Sequence, residues 1–216
     1  MEQPRFKLFH FPGSRSARVK WILHEVVGDD FEVVPVKLFE GEQYAAEYLS
    51  QNPNHNVPML EISMPDGSTK LMLESGAMVT FLADAFPEKG LAPAPHPFSL
   101  ERADYLQMMF FGASWVDMML WQIRMQETLL KKDDRDERTA ERYRKKLRDE
   151  VEPQLRARLE QHDYICGNAF MAVDCVMGHN VSWARAYGLC QDEIFRAYLS
   201  RVSKRPAFVK AFADTR

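Results

Sequence analysis

Two segments of this sequence place polar side chains where a strand hands over to a helix. The first, FHFPGSRSARV, sets Ser14 and Ser16 behind a Pro12-Gly13 break, just ahead of a helical pattern. Hydroxyls there can cap the helix, or donate to an anion held near its N-terminus. The second runs from residue 51 to 75, QNPNHNVPMLEISMPDGSTKLMLES. Pro53 and Pro58 bracket Asn54, His55 and Asn56, a turn composition. Val57, Met59, Leu60 and Ile62 supply a short strand, and Asp66-Gly67 is a hairpin signal before a partner strand over 70–73. Glu74-Ser75 closes it at the start of another helix. Ser75 is expected to N-cap that helix and to offer amides and a hydroxyl to a carboxylate, while Glu74 can accept from an ammonium.

The elements that must hold these groups follow from periodicity. A first strand over 6–11 precedes a helix over 14–27, in which Ala17, Val19, Trp21, Ile22, Leu23 and Val26 fall near helical spacing and Gly28 is the stop. A second strand over 31–36 lies beyond that helix, so the two strands should be parallel. Residues 42–50 form a short helix or irregular turn before the central segment, and 75–86 a helix stopped by Pro87. PEKGLAPAPHPF, residues 87–98, reads as an extended linker. Beyond it the pattern is helical throughout. Ser99 caps a long helix reaching Met125 or further. A second long helix over 139–161 carries Tyr143, Leu147, Val151, Leu155 and Leu159 at intervals of four, with Pro153 expected to kink it. Helices over 174–187, 191–202 and 206–213 complete the chain.

Composition sets the outer limits. A chain of 216 residues with 46% hydrophobic and 27% charged residues is an ordinary globular one. A net charge of −3 gives no nucleic-acid footprint, and no apolar run is long enough for a membrane span. The N-terminal residues lack a signal peptide's apolar core, and three cysteines confined to the C-terminal part point to a reducing compartment, hence a cytoplasmic protein. The N-terminal half has no CxxC, which excludes dithiol redox chemistry of that type. His162/Cys166 and Cys175/His179 are isolated pairs without further ligands, so no metal is expected.

The order NPxxxVPxL, hairpin, ES before a helix, followed by a linker and an all-helical half, resembles the glutathione S-transferase family over essentially the whole chain. GNAFMAVD (167–174) is similar to the family's helix-capping segment, with Met171 standing where a hydroxyl residue is usual. The resemblance implies an N-terminal thioredoxin-like βαβαββα domain over 1–86, a linker over 87–98 and an all-helical domain over 99–216. It also implies a cis Val57-Pro58 bond, whose valine pairs through its backbone with glutathione, and a Glu74-Ser75 pair that holds the γ-glutamyl end. A strand edge turned outward in this way binds a peptide ligand through main-chain hydrogen bonds.

The chemistry implied is addition of the glutathione thiolate to a small hydrophobic electrophile, with glutathione as co-substrate in a homodimeric enzyme. A free thiol has a pKa of about 8.5, and lowering it by about two units needs about 2.7 kcal/mol of preferential thiolate stabilisation. Serine-type members show Ser-x-x-x-Arg-Val at this point, which matches Ser14, Arg18 and Val19. Ser14 is therefore the catalytic candidate and Ser16 the runner-up; the alternative is that both only cap the helix. At the glycyl end of glutathione, where related sequences carry basic side chains, Gln43, Tyr44 and Asn56 are uncharged. Phe11, Met108, Phe111 and Trp115 are the expected walls of the electrophile pocket, although a stripe of this kind also suits plain core. The competing reading is a catalytically silent protein of the same fold that binds a protein partner.

Overall fold

The computed structural model describes residues 3–215. Two compact units emerge, and their boundary does not follow chain order. The first runs to Gly90 and also takes in the chain from Lys204; the second is Leu91–Ser203. The expectation from sequence places all of residues 99–216 in the helical part. The last helix packs instead on the first unit, because its aromatic residues meet an aromatic partner there, as described below.

In the first unit, β1 (Arg5–His10) is followed by α1 (Ser16–Val26) and β2 (Glu32–Pro35). β1 and β2 are parallel, with Leu8 opposite Val33, as the intervening helix requires. Two short 3-10 turns lead to α2 (Ala46–Gln51). The hairpin of β3 (Met59–Ser63) and β4 (Thr69–Met72) follows, and the sheet order is β2-β1-β3-β4. β3 lies antiparallel to both neighbours. Asp66 closes the hairpin turn by accepting from the Ser68 amide, and Gly67 takes the left-handed conformation the turn needs (φ +85°).

Alternation along β1 turns Phe6, Leu8 and His10 inward. α1 packs against the sheet with Trp21, Ile22 and Leu23 all fully buried, and it ends as expected: Val27 bonds back to Leu23, and Gly28 is left-handed. α10 (Pro206–Ala211) lies against α1: Phe208 and Phe212 meet Trp21 edge-on, at 4.9 and 6.1 Å between ring centroids. Arg205 adds a bidentate ion pair to Glu25 (2.7 and 2.8 Å). Neither aromatic contact is visible from local pattern, since the partners lie nearly two hundred residues apart.

α3 (Ser75–Ala85) begins one residue earlier than the capping argument placed it. Glu74 is its N-cap residue, at φ +75°, without a side-chain cap. The Ser75 hydroxyl accepts instead from Arg18 Nη1 (3.4 Å), a guanidinium that α1 buries completely. A buried charge of this kind requires hydrogen-bond partners, and that requirement takes the serine away from capping.

The second unit is helical. Ser99 caps α4 (Leu100–Phe110) by accepting from the Arg102 amide. The helix then passes through a π-helical turn (Phe111–Val116), α5 (Asp117–Arg124) and a second π turn (Met125–Leu129). α6 (Glu137–Lys146), a π turn (Leu147–Val151) and α7 (Glu152–Leu159) form the second long run. An interval of four residues exceeds the 3.6 of an α-helix, so the buried stripe of Leu147, Val151, Leu155 and Leu159 drifts round the axis unless the helix widens. The i→i+5 turn takes up that excess directly ahead of Pro153, which has no N–H to continue the ladder. α8 (Val173–Ala186) and α9 (Glu193–Val202) complete the unit. The buried Asp174 carboxylate accepts from the Met171 and Ile165 amides and the Tyr198 hydroxyl, the backward reach that the incomplete capping segment still allows.

Candidate active site

Because β1 runs opposite to β3, and β3 opposite to β4, the end of β1, the start of β3 and the end of β4 share one edge of the first unit. This puts the Ser14 loop, Val57-Pro58 and Glu74-Ser75 at the same end of the sheet. The Val57-Pro58 bond is cis, as expected. The loop before it is anchored from beneath: Tyr48 Oη and Asn52 Nδ2 both donate to the Asn56 carbonyl (2.6 and 2.8 Å). Glu74 is exposed and Ser75 is buried. A left-handed conformation at a non-glycine residue costs of order 1–3 kcal/mol and tends to persist where function needs it. At Glu74 the positive φ falls on one of the residues singled out from sequence.

Gly13 turns the chain after β1 (φ +68°), and Ser14 and Ser16 enter as two linked hydroxyls. Ser14 Oγ donates to the Phe11 carbonyl (2.7 Å), accepts from the Ser16 amide (3.3 Å) and stands 2.8 Å from Ser16 Oγ. The N-cap position of α1 is Arg15, which makes no side-chain cap, so neither serine caps the helix in the ordinary way. Ser14 takes the first helical amide from one position further out. Ser14 is partly exposed, whereas Ser16 is 0% exposed. Ser16 Oγ also receives the Phe11 amide (3.1 Å), lies 3.1 Å from the Phe11 carbonyl, and is 2.6 Å from His10 Nδ1.

His10, 2% exposed, is a site residue that the sequence reading did not identify. The signal was present: it occupies the third inward position of β1 after Phe6 and Leu8, an unusual place for a polar side chain. Its Nε2 is 3.1 Å from Asp214 Oδ2, which also accepts from Lys20 Nζ (2.6 Å). Asp214 comes from the turn after α10 and gave no local signal. Burial opposes charge on this carboxyl, yet the hydrogen bond from Lys20 and the field of His10 hold it below the usual carboxylate range. Burial lowers the His10 pKa, with Lys20 acting in the same direction and Asp214 against both. An ionised Asp214 can only accept, so neutral His10 carries its proton on Nε2 and presents a bare Nδ1 to Ser16.

Of the neutral residues expected at the glycyl end, Gln43 has its Oε1 atom buried without a hydrogen-bond partner, and Asn56 Oδ1 accepts from Asn52 Nδ2 (3.2 Å). Tyr44 packs on His55 (5.0 Å between centroids). Lys37, the nearest cation in sequence to this turn, is paired with Glu40 (3.2 Å) and lines an open depression of about 590 Å³ with Gly41, Glu42 and Tyr44. Of the expected pocket walls, Phe11 is half-buried against Phe39 (5.2 Å) in the first unit. In the second unit, Phe111 is half-buried and Trp115 is exposed beneath the Lys146 ammonium (4.6 Å from its centroid). Met108 is packed into that unit's core at 3% exposure, since it projects from the inward side of α4. Among the described residues no group of three potential metal ligands occurs, and no helix is long and apolar enough to cross a membrane.

Residues 4–84 match the glutathione S-transferase N-terminal domain family. A zeta-class glutathione S-transferase of Euphorbia esula is 38% identical over 93 residues, 43% of this chain and 39% of that protein. The matched segment thus spans about two fifths of the length of that curated relative. Solved structures align over nearly the whole chain. A glutathione transferase of Burkholderia graminis with two bound glutathione molecules has a TM-score of 0.82 at 24% identity, over 96% of this chain and 87% of its own. A sphingomonad glutathione S-transferase complexed with glutathione has a TM-score of 0.78 at 26% identity, over 97% and 98%. With the thioredoxin-like sheet, the cis Val57-Pro58 bond and the helical second unit in place, these likenesses agree: residues 4–84 are a glutathione S-transferase N-terminal domain, and the chain as a whole is similar in fold to solved glutathione transferases.

Proposed function

We propose that this protein binds glutathione along the sheet end of its first unit and uses Ser14 to hold the thiol as a thiolate for attack on a small hydrophobic electrophile. The observation that carries this reading is the convergence of the partly exposed Ser14 hydroxyl, the cis Val57-Pro58 bond and Glu74-Ser75 at one edge. Val57 offers main-chain groups to the cysteinyl unit. Glu74 and the α3 N-terminus suit the ammonium and carboxylate of the γ-glutamyl end. Gln43 and Asn56 supply neutral donors at the glycyl end. Ser14 is preferred over Ser16 because only Ser14 is open to solvent. Phe11, beside the Ser14 loop in the first unit, is offered as an apolar wall for the electrophile. The complexes of two relatives with glutathione support this choice of co-substrate.

The working form is proposed to be a cytoplasmic homodimer, to be tested by sedimentation at micromolar concentration; a monomer would remove that part of the reading. The central test is thiolate absorbance of glutathione titrated with pH in the binary complex. The expected result is a thiol pKa well below about 8.5. Ser14→Ala should raise it by about one to two units, the equivalent of one charge-assisted hydrogen bond of about 1.5–3 kcal/mol. Binding without any depressed thiol pKa would replace the enzyme reading with that of a silent binding protein.

A further inference from the structure

Activating a thiol means removing its proton, and the environment of Ser14 offers a destination. We infer that the thiol proton is passed through Ser14 and Ser16 to His10 Nδ1, with Asp214 from the C-terminal turn orienting the imidazole and balancing its charge. This rests on the reading of Ser14 as the group that meets the thiol. His10 and Asp214 act through the serines and are positioning residues.

The argument follows from hydrogen-bond direction. The contacts form one line: Ser14 Oγ to Ser16 Oγ at 2.8 Å, Ser16 Oγ to His10 Nδ1 at 2.6 Å, His10 Nε2 to Asp214 Oδ2 at 3.1 Å. Each hydroxyl has one proton to give. While His10 is neutral, its bare Nδ1 takes the Ser16 proton, so Ser16 Oγ can only accept from Ser14. The Phe11 carbonyl is the other acceptor open to Ser14. The Ser14 oxygen then faces outward with a lone pair, which suits an incoming S–H and not a thiolate. For Ser14 to donate to a thiolate while its 2.8 Å contact with Ser16 stays a hydrogen bond, Ser16 must turn its proton towards Ser14. His10 must then donate from Nδ1 while its Nε2–H stays with Asp214. The direction of the line is thus tied to the protonation of His10.

The transfer balances without a co-reactant. The S–H bond breaks and its proton goes to Ser14 Oγ; the original Ser14 proton moves to Ser16 Oγ, and the Ser16 proton to His10 Nδ1. A thiol and an imidazole become a thiolate and an imidazolium, with both serines restored and their hydrogen bonds reversed. The charged groups facing His10 are Asp214 from the C-terminal turn and Lys20 from α1, and both sit on the far nitrogen's side. Burial keeps His10 neutral at rest, as an acceptor must be, and Asp214 supplies the counterion once the proton arrives. The order serine–histidine–aspartate is that of a nucleophilic triad, but here the serine beside the histidine is wholly buried and saturated with hydrogen bonds. It cannot attack a substrate; it can conduct.

The C-terminal turn is built against this loop: a Cβ placed on Gly13 would stand 3.2 Å from Thr215 Cγ2, next to the residue that supplies the carboxylate.

The test is 15N NMR of the histidine-labelled protein near neutral pH, alone, with glutathione and with S-methylglutathione, which has no thiol proton to give. His10 should be neutral and protonated on Nε2 in the free protein and in the S-methylglutathione complex, and doubly protonated with glutathione. Thiolate absorbance is read on the same sample. Thiolate with a neutral His10 overturns the relay and leaves Ser14 in place; no thiolate and an unchanged His10 overturn both. Asp214→Asn, on a side chain 37% exposed, should keep the fold and glutathione affinity within about twofold while conjugation near pH 6.5 falls about tenfold. Its loss should shrink as rising pH ionises the thiol without help. A loss equal at every pH would assign Asp214 a purely structural part and refute the proposal.

Discussion

Asp174 offers a quantitative check on the packing of the second unit. Its carboxylate is 0% exposed; Oδ1 accepts from the Ile165 amide (3.2 Å) and the Tyr198 hydroxyl (2.9 Å), and Oδ2 from the Met171 amide (2.9 Å). Burial and the carboxylate's own field push the Tyr198 hydroxyl well above its ordinary pKa, so it remains a donor at any workable pH. Tyr198→Phe removes one charge-assisted bond and should cost about 1.5–3 kcal/mol. Asp174→Ala strands three donors, and after partial recovery of the cost of burying a charge it should cost about 3–5 kcal/mol. Asp174→Asn should fall between, because its amide can serve Ile165 and Tyr198 only by turning its own NH2 against the Met171 amide. Urea unfolding followed by circular dichroism measures all three. Should Asp174→Ala prove no more damaging than Tyr198→Phe, the claim that this carboxylate organises the unit's three converging segments is wrong.

Further outcomes follow from the described geometry. Asn56→Lys should tighten glutathione binding by placing a cation at the neutral glycyl end, as calorimetry would reveal; unchanged or weaker affinity with an intact fold would mean another group already serves that carboxylate. Burial first of all holds His24 below 6.5, so the unfolded chain takes up that proton before the native one does, and stability declines as pH drops below 6.5 towards the folded value. His24→Gln should reduce the shift of the urea midpoint between about pH 7.5 and 5.5; an equal shift in variant and wild type would refute the linkage. Burial, with the Asp104 charge, pushes the Cys166 thiol up to about 12, so it should react with a disulfide reagent far more slowly than free cysteine until the protein is denatured. Native labelling at the free-thiol rate would contradict that.

Much of the site was legible because its residues act through local geometry. Pro58 after Val57, Asp66-Gly67 between two apolar runs, and Gly28 after a helical pattern each carry a turn requirement in the residue itself. Ser14 and Ser16 were legible for the same reason, being hydroxyls at a strand-to-helix junction. The line behind them was not. His10 left only the trace of a polar residue in an inward register, and Asp214 left none, since a carboxylate in an exposed turn looks the same whatever it reaches. Ser75 was misread because its capping competitor, the buried Arg18 guanidinium, belongs to another helix. The π turns had a sign in the four-residue interval between Leu147 and Leu159, whose excess over the α-helical period calls for a local widening.

The return of the chain from Lys204 onward to the first unit has a bearing on biosynthesis. The serines, the cis Val57-Pro58 bond and Glu74-Ser75 all leave the ribosome early, but α10 and Asp214 follow only after the more than one hundred residues of the helical unit. At about 5–20 residues per second that is a wait of roughly 5–25 s. During it the face of α1 that carries Trp21 has no Phe208 or Phe212 to cover it, and His10 has no carboxylate. A nascent first unit therefore stays unfinished, with an apolar helix face open to chaperones, until α10 has been synthesised. A ribosome that stops within the helical unit releases a product that contains both serines and lacks the aspartate behind them.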